Sequence, residues 1–256
     1  MGRIIAIANQ KGGVGKTTTA INLAACLAEK GKRVLAIDMD SQGNMTSGLG
    51  VDRDSVEYSI YDTLIGECNI GQSMIVDVFE NLSLVPSNQN LSGVEVDFID
   101  KENPQNILKA IVRNIRKKFD FIIIDCPPAL GMLTINSLTA ADTVIVPIQC
   151  EFYALEGLSQ LIYTINMIKK KLNKNLEIEG VVFTMYDSRN NLSQEVVDSV
   201  RESLDEIIYD TVVPRNVRLA EAPSFGLPIN KYDTRSSGAA AYRSLADEVI
   251  KNKLFL

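Results

Sequence analysis

The chain has 256 residues, 46% of them hydrophobic and 23% charged, which suffices for one α/β domain with a full core. Its 26 basic and 32 acidic residues leave a net charge of −6 with no histidine. That balance argues against a uniformly basic nucleic-acid binder and removes the commonest general base, so any hydrolysis must rest on carboxylates, lysines and a metal. No apolar run reaches the ~18 residues of a membrane span. Met1-Gly2-Arg3-Ile4 leads straight into a strand-like run, which predicts no signal peptide, and Ala6 breaks the myristoylation pattern that a Met-Gly start suggests.

The first predicted strand, Ile4–Ala8, runs into Lys11-Gly12-Gly13-Val14-Gly15-Lys16-Thr17-Thr18 and then a helical pattern over Thr17–Lys30. Strand, glycine loop and helix in that order form the context of a phosphate-binding loop. Glycines let successive N–H groups turn toward one anion, and the helix N-terminus adds its partial positive charge. Lys16 is placed to reach the β- and γ-phosphates, and the Thr17 hydroxyl to ligate Mg²⁺. Position 10, where the GxxxxGK[ST] pattern has its first glycine, is Gln10, and Lys11 follows at the loop's entrance. This second lysine has no obvious destination in its own subunit and is expected to cross to the phosphates held by a second copy.

Next, Val34–Ile37 predicts a strand ending in Asp38-Met39-Asp40-Ser41-Gln42-Gly43-Asn44. Asp52–Gly71 and Ser87–Asn103 are polar insertions, expected to be mobile loops with short helices, on either side of a strand at Leu82–Val85. A helix over Pro104–Lys118 precedes the strand Phe121–Ile124, which ends in Asp125-Cys126-Pro127-Pro128. Strands at Thr143–Ile148, Val181–Thr184 and Thr211–Val213 follow, with helices at Leu155–Leu172 and Ser237–Lys251. This alternation predicts one doubly wound α/β domain over 1–256, a mostly parallel sheet with helices on both faces and a ligand at the strands' carboxyl ends. Acids at those ends are expected to serve a metal and an attacking water. Asp125 is expected to bind Mg²⁺ through water, Asp40 to orient the attacking water, and Asp38 to be an outer partner of the metal.

The widely spaced Cys26, Cys68, Cys126 and Cys150 contain no CxxC pair and read as buried small hydrophobes, an iron–sulfur cluster shared between subunits being the alternative. From Val213 to Arg243 the bases Arg215, Arg218, Lys231, Arg235 and Arg243 face only two acids, Glu221 and Asp233, so an acidic chain carries a basic C-terminal segment that Arg189 can join in space. Two other basic runs, Lys109-Arg113-Arg116-Lys117-Lys118 and Lys169-Lys170-Lys171, sit at helix C-terminal ends, where bases favour the dipole. With no stacking motif or recognition helix, any DNA contact is expected to be with phosphates, independent of sequence and sensitive to salt.

The KGGxGK[ST] loop resembles that of the deviant Walker A ATPases, among them ParA/Soj partition proteins, MinD, the nitrogenase iron protein and the arsenite-pump ATPase. IDMDSQGN, IIIDCPPALGMLTINSLTAAD, VPIQCEFYALEGLSQL and PRNVRLAEAPSFGLPI resemble the ParA/Soj branch in order and nearly end to end. The departures are Ser41, where the pattern has proline, and Phe225, where it has a polar residue. The resemblance implies a slow ATPase using ATP and Mg²⁺ that dimerises with ATP, Lys11 crossing the interface, and a nucleotide held by residues 11–18 with adenine near Met185, Pro214 and Asn216. It also implies nonspecific double-stranded DNA contacts through Arg189 and Arg218, hydrolysis stimulated by a ParB-type protein, and a cytoplasmic, nucleoid-associated location without stable membrane association. The alternatives are a MinD-like membrane switch using the tail Ala246–Leu256, and a metabolic or electron-transfer enzyme built on the same ATPase.

Overall fold

The computed structural model describes residues 2–151, 154–204 and 208–252. Eight strands form one sheet: β1 (Arg3–Ile7), β2 (Val34–Asp38), β3 (Ile75–Phe79), β4 (Leu82–Val85), β5 (Phe121–Asp125), β6 (Thr143–Gln149), β7 (Glu177–Tyr186) and β8 (Ile208–Pro214). Their order is β3-β4-β2-β5-β1-β6-β7-β8, with every pairing parallel except the edge pair β3–β4. Twelve α-helices occur among the described residues: α1 (Lys16–Glu29), α2 (Asn44–Gly48), α3 (Ile60–Ile65), α4 (Ile70–Ser73), α5 (Val94–Asp97), α6 (Ile107–Ile115), α7 (Met132–Ala140), α8 (Ala154–Lys171), α9 (Asn191–Ser203), α10 (Val217–Glu221), α11 (Ile229–Tyr232) and α12 (Ser237–Lys251).

The central strands are apolar on both faces because both faces are covered. Successive side chains point to opposite sides of a strand, and Ile4 and Ala6 of β1 join one core layer while Ile5 and Ile7 join the other. The first layer packs α6, α7, α8 and α9 on the sheet; the second packs α1 and α12. The expected doubly wound architecture is therefore present.

Where the structure departs from the sequence pattern, the reasons are local. β3 lies within a polar stretch, and its central Asp77 adopts φ 53°, an irregularity tolerated only because the strand is an antiparallel edge. The polar insertions carry α3 and α4, each closed by a capping box, and α5. α7 is rich in Thr, Asn and Ser, and Thr134, Asn136 and Ser137 find hydrogen-bond partners while the buried Thr139 hydroxyl has none among the described residues. Asn136 accepts from the Leu108 N–H and donates to the Pro104 and Met132 carbonyls. The residues 246–251 of the tail belong to α12, whose Leu245, Ala246 and Val249 are buried in the second core layer. Residues 253–256, the rest of that tail, lie outside the described residues.

Arg3 ties β1 both to β7, through an ion pair, and to the end of α12, through hydrogen bonds. Arg3 meets the fully buried Glu179 at 2.6 Å, and its guanidinium also donates to the Val249 and Asn252 carbonyls at the end of α12. Burial, partly offset by Arg3, raises the Glu179 pKa. Arg3→Ala leaves that carboxylate buried without its partner and is expected to cost about 3–5 kcal/mol, read as a lower urea midpoint at unchanged slope. Adding Glu179→Gln removes the stranded charge and is expected to restore part of the loss. An Arg3→Ala protein unfolding at the wild-type urea concentration would contradict this account.

Candidate active site

β1, β5 and β2 are neighbours that end in step: Ile7 pairs with Asp125, and Asp125 with Asp38. The phosphate loop leaves β1 at this rim. Gly13 (φ 74°) and Gly15 (φ 84°) occupy the left-handed region, where a side chain is strained. Gly12 does not, and a Cβ placed there would meet nothing within 4 Å. The loop is pinned from outside its own sequence. Asn9 Nδ2 donates to the Pro147 carbonyl at 2.7 Å and its Oδ1 accepts from the Lys11 N–H at 3.0 Å. The Thr184 hydroxyl donates to the Val14 carbonyl at 2.8 Å and lies 3.1 Å from that of Ile148.

α1 begins immediately after Gly15 with no side-chain cap and no acid in its first turn. Its first N–H groups are thus left for an anion. Lys16 is buried, and its ammonium donates to the Lys11 carbonyl at 3.0 Å. Burial lowers the Lys16 pKa, and the nearby Asp125, Cys126 and Asp40 partly offset this.

Lys11 differs from expectation. It has a partner in its own subunit, Glu151, at 2.6 Å, with both side chains more than two-fifths exposed. An exposed pair of this kind contributes about 0–1 kcal/mol, so it holds Lys11 only loosely. Residues 152 and 153, which follow Glu151 in the motif VPIQCEFYALEGLSQL, lie outside the described residues.

The three acids divide their work. Asp38 is fully buried and engaged: Oδ2 accepts from the Thr46 N–H at 2.8 Å and the Thr46 hydroxyl at 2.7 Å, and Oδ1 from the Asp40 N–H at 3.1 Å. It braces the turn from 40 to 46, although burial still pushes its pKa up to about 6. Asp40 Oδ1 accepts from the Gln42 N–H at 3.0 Å. Asp125 is fully buried and neither of its oxygens has a hydrogen-bond partner among the described residues. Burial first, and the Asp38 charge second, raise its pKa well above the usual carboxylate range. Thr17 and Lys16 relieve part of that shift without meeting hydrogen-bond geometry.

Gly12, Gly13, Gly15, Lys16, Thr17, Thr18, Asp40 and Met185 line one cavity of about 360 Å³ over the loop. A second, of about 370 Å³, is lined by Met185, Pro214 and Asn216 with Thr184 and Tyr242. Gly15, Thr18 and Met185 line both, so the two form one trough. Val14 is buried, and Lys11, Asp38 and Asp125 line neither cavity. The Asn216 side chain is already committed: Oδ1 caps α10 by accepting from the Arg218 N–H at 2.8 Å, and Nδ2 donates to Ser237 at 2.8 Å. Any ligand edge read here must meet backbone groups or displace those bonds.

Arg189 and Arg218 sit beyond the carboxyl ends of β7 and β8, flanking the second cavity rather than lining it. Both are exposed and ion-paired within the subunit. Arg189 grips Asp187 with two hydrogen bonds, at 2.9 and 2.8 Å, pulling the Asp187 pKa down to about 2. Arg218 pairs with Glu221 at 2.8 Å and lies 3.6 Å from Asp233. Arg243, counted in the basic segment, is spent on Glu29 and the Thr234 carbonyl. Arg215, Lys231 and Arg235 make no ion pair among the described residues. Phe225 stacks on Tyr232 at 5.0 Å, and the Tyr232 hydroxyl donates to Glu221, which gives this departure from the pattern a packing role.

All four cysteines are buried free thiols; burial pushes Cys26 and Cys126 up to about 12 and Cys150 to about 11. No group of three or more His, Cys, Asp or Glu side chains among the described residues is arranged to hold a metal by itself. No described helix is long and apolar enough to cross a membrane. The residues that sequence reasoning missed are Asn9, Thr46, Glu151 and Thr184, each of which acts through a contact distant in the chain.

Comparison with known proteins agrees with this geometry. The family described as "AAA domain" matches residues 2–178, which include the loop and all three acids. The sporulation initiation inhibitor protein Soj of Bacillus subtilis is 51% identical over 252 residues, covering 98% of this chain and 100% of that protein. The chromosome partitioning protein ParA of Myxococcus xanthus is 49% identical over 251 residues, covering 98% and 89%. The crystal structure of cobyrinic acid a,c-diamide synthase from Mycobacterium smegmatis, with bound ADP and magnesium, superposes with a TM-score of 0.87 at 37% identity, covering 98% of this chain and 95% of that one. The chain belongs to the ParA/Soj family of chromosome-partitioning P-loop ATPases.

Proposed function

We propose that this chain is a partition ATPase that dimerises with ATP, binds double-stranded DNA without regard to sequence, and is released through hydrolysis stimulated by a ParB-type protein. The observation that carries the reading is Asp125, a fully buried carboxylate with no hydrogen-bond partner beside an uncapped helix N-terminus. Such a group costs stability unless something binds over it, and the chemistry of the surroundings says what. Oxygen donors from Asp125 and Thr17, with lysine and free N–H groups alongside, fit a nucleotide's phosphates with Mg²⁺. The ion, when bound, neutralises charge on the phosphates. Asp125 would hold it through water and Thr17 directly, with Asp38 acting only through the turn that it braces.

The chain's own residues supply the rest. Lys16 exchanges the Lys11 carbonyl for the β- and γ-phosphates. Gly12, Gly13, Val14, Gly15 and Thr18 cradle phosphate through the backbone, while Met185, Pro214 and the backbone near Asn216 flank the base. Asp40, in the phosphate cavity, orients the attacking water. Lys11 exchanges Glu151 for the phosphates of a second copy, at little cost because the pair is exposed. Arg189 and Arg218 exchange their intramolecular acids for DNA phosphates, and dimerisation doubles those contacts. The membrane alternative is disfavoured by α12, whose apolar face is committed to the core.

Asp40→Ala is expected to leave nucleotide binding intact and to cut turnover by ~100-fold or more, so that ATP dimers persist in gel filtration; in the same assay Lys11→Ala is expected to stay monomeric while binding ADP normally. A monomeric, folded Asp40→Ala protein would count against the assignment.

Asp125 ties stability to pH. Its pKa in the folded protein is raised, so the stability of the nucleotide-free protein is fully present at low pH and declines as pH rises through that value. Asp125→Asn lacks that decline and is expected to melt a few degrees above wild type at alkaline pH, while losing the Mg²⁺ dependence of ATP binding. Equal melting profiles across pH would refute the buried-charge account.

Arg189→Glu and Arg218→Glu are each expected to abolish ATP-dependent DNA binding while sparing ATP dimers. Each removes one phosphate contact per subunit, two per dimer, which flattens the salt slope by roughly two units. Lys117→Glu is the control. If Lys117→Glu abolishes DNA binding and both arginine reversals bind normally, the wrong face has been chosen.

A further inference from the structure

At the other end of the sheet, where β1 and β6 begin, a pocket of about 230 Å³ lies between α6, the end of α7 and the segment that follows α8. Ile4, Val112 and Ala140 give it apolar walls. Its charged lining is Lys109, Arg113, Arg116 and a single acid, Asp142. In a chain whose net charge is −6, three cations against one acid in one pocket reverse the local sign. None of these residues lines the nucleotide trough.

The acid and one of the cations are spent on each other. Asp142 Oδ2 accepts from Arg116 at 2.6 Å and from the Ile4 N–H at 2.9 Å, while Arg116 Nε donates to the Gly2 carbonyl at 2.7 Å. Lys109 and Arg113 stand one turn apart on α6. Both are exposed, and neither makes an ion pair among the described residues. The helix dipole does not account for Lys109, which lies in the first turn of α6, where a cation is disfavoured. Carbonyls at the end of α7, which would repel an anion, are partly covered: Asn173 Nδ2 donates to those of Leu138 and Ala141 at 3.1 and 2.7 Å. Thr139, in the same wall, is fully buried, and its hydroxyl has no hydrogen-bond partner among the described residues. Such a group costs stability until a partner is supplied.

We propose that this pocket binds a phosphate dianion, free or as the terminal group of a small ester, between Lys109 and Arg113. Charge, donors and size select the class. Beyond the Arg116–Asp142 pair the pocket offers two positive charges, and a phosphate monoester brings about −1.5 to −2 at neutral pH. A monocarboxylate would leave one of the two cations unmatched. The Arg113 guanidinium presents a planar fork of donors to phosphate oxygens, and the Lys109 ammonium a point charge beside it. The pocket has under two-thirds of the volume of either cavity of the trough, which leaves room for a phosphate and a short ester but not for a nucleotide's base.

The test is calorimetry on the full chain with its phosphate loop filled by ADP and Mg²⁺, titrated with inorganic phosphate and, separately, with glycerol 3-phosphate. Ionic strength is held constant with chloride, so that screening is common to every titration. Wild type is expected to bind at least one of the two anions saturably, at millimolar concentration or below. Tighter binding of the ester identifies a phosphorylated metabolite as the source, and tighter binding of inorganic phosphate the free ion. Lys109→Gln/Arg113→Gln is expected to weaken that binding by about tenfold or more, because two charge-assisted contacts are lost. Both positions are exposed and lie outside the trough, so folding, ATP turnover and ATP dimerisation are expected to be unchanged. Saturable binding of neither anion overturns the proposal, and so does equal affinity in wild type and the double variant. Loss of ATP-dependent DNA binding in the double variant overturns it in favour of the DNA backbone as the occupant, and leaves the partition reading standing.

Discussion

Three ionisable side chains are buried together, Lys16 at the start of α1 and Asp38 and Asp125 at the carboxyl ends of adjacent parallel strands, and the cost of holding charge there out of water is the constraint on which the site depends. Water would satisfy these groups for nothing; the protein removes it and returns partners unequally. Asp38 receives three hydrogen bonds, Lys16 a single carbonyl, and Asp125 none. The empty state is thereby held at a cost, and the deficit is concentrated where a bound nucleotide and its ion would relieve it. The sheet makes this possible. Only strands covered on both faces and ending in register could hold two carboxylates this deep while leaving the glycine loop open above them.

The same logic separates residues that bind from residues that hold. Thr184 and Asn9 make no hydrogen bond to the side chain of either loop lysine, yet both fix the loop's path by gripping main-chain groups. Asp38 belongs with them, as a brace for the turn that carries Asp40. Among the arginines, Arg189 and Arg218 are neutralised by neighbours on exposed, short-range pairs that salt and competing phosphates loosen readily. Arg243 instead bridges α1 and α12 through Glu29 and is part of the framework. A count of basic residues in the C-terminal segment therefore overstates the charge on offer.

Much of this was legible in the sequence, and the limits have physical causes. The phosphate loop could be read because glycine spacing, a preceding apolar strand and a following helix constrain one another locally. Asp125 and Asp40 could be singled out as candidates because an acid after a buried strand has few structural reasons to exist. The central strands were found within a residue or two at most ends, although β7 and β8 extend further than their most apolar residues. β3 was not seen, because an edge strand with an aspartate at its middle has no alternating pattern to read. Glu151 was not seen as the partner of Lys11 because 140 residues separate them and only the β1–β6 pairing brings them near. Asn216 was read as a probe for a base when its side chain is consumed in capping α10, a choice that depends on where that helix begins.

Gly12 has a consequence of another kind. Its two companions in the loop are glycine because the backbone leaves them no choice, but Gly12 has an ordinary conformation and empty space around it. A bulkier residue there passes unnoticed by folding and by the chaperones and proteases that inspect folding, because it projects into the open phosphate cavity. The cost falls only on whatever approaches from outside. Such a chain would be made at full level, its defect showing only when something has to close over the loop.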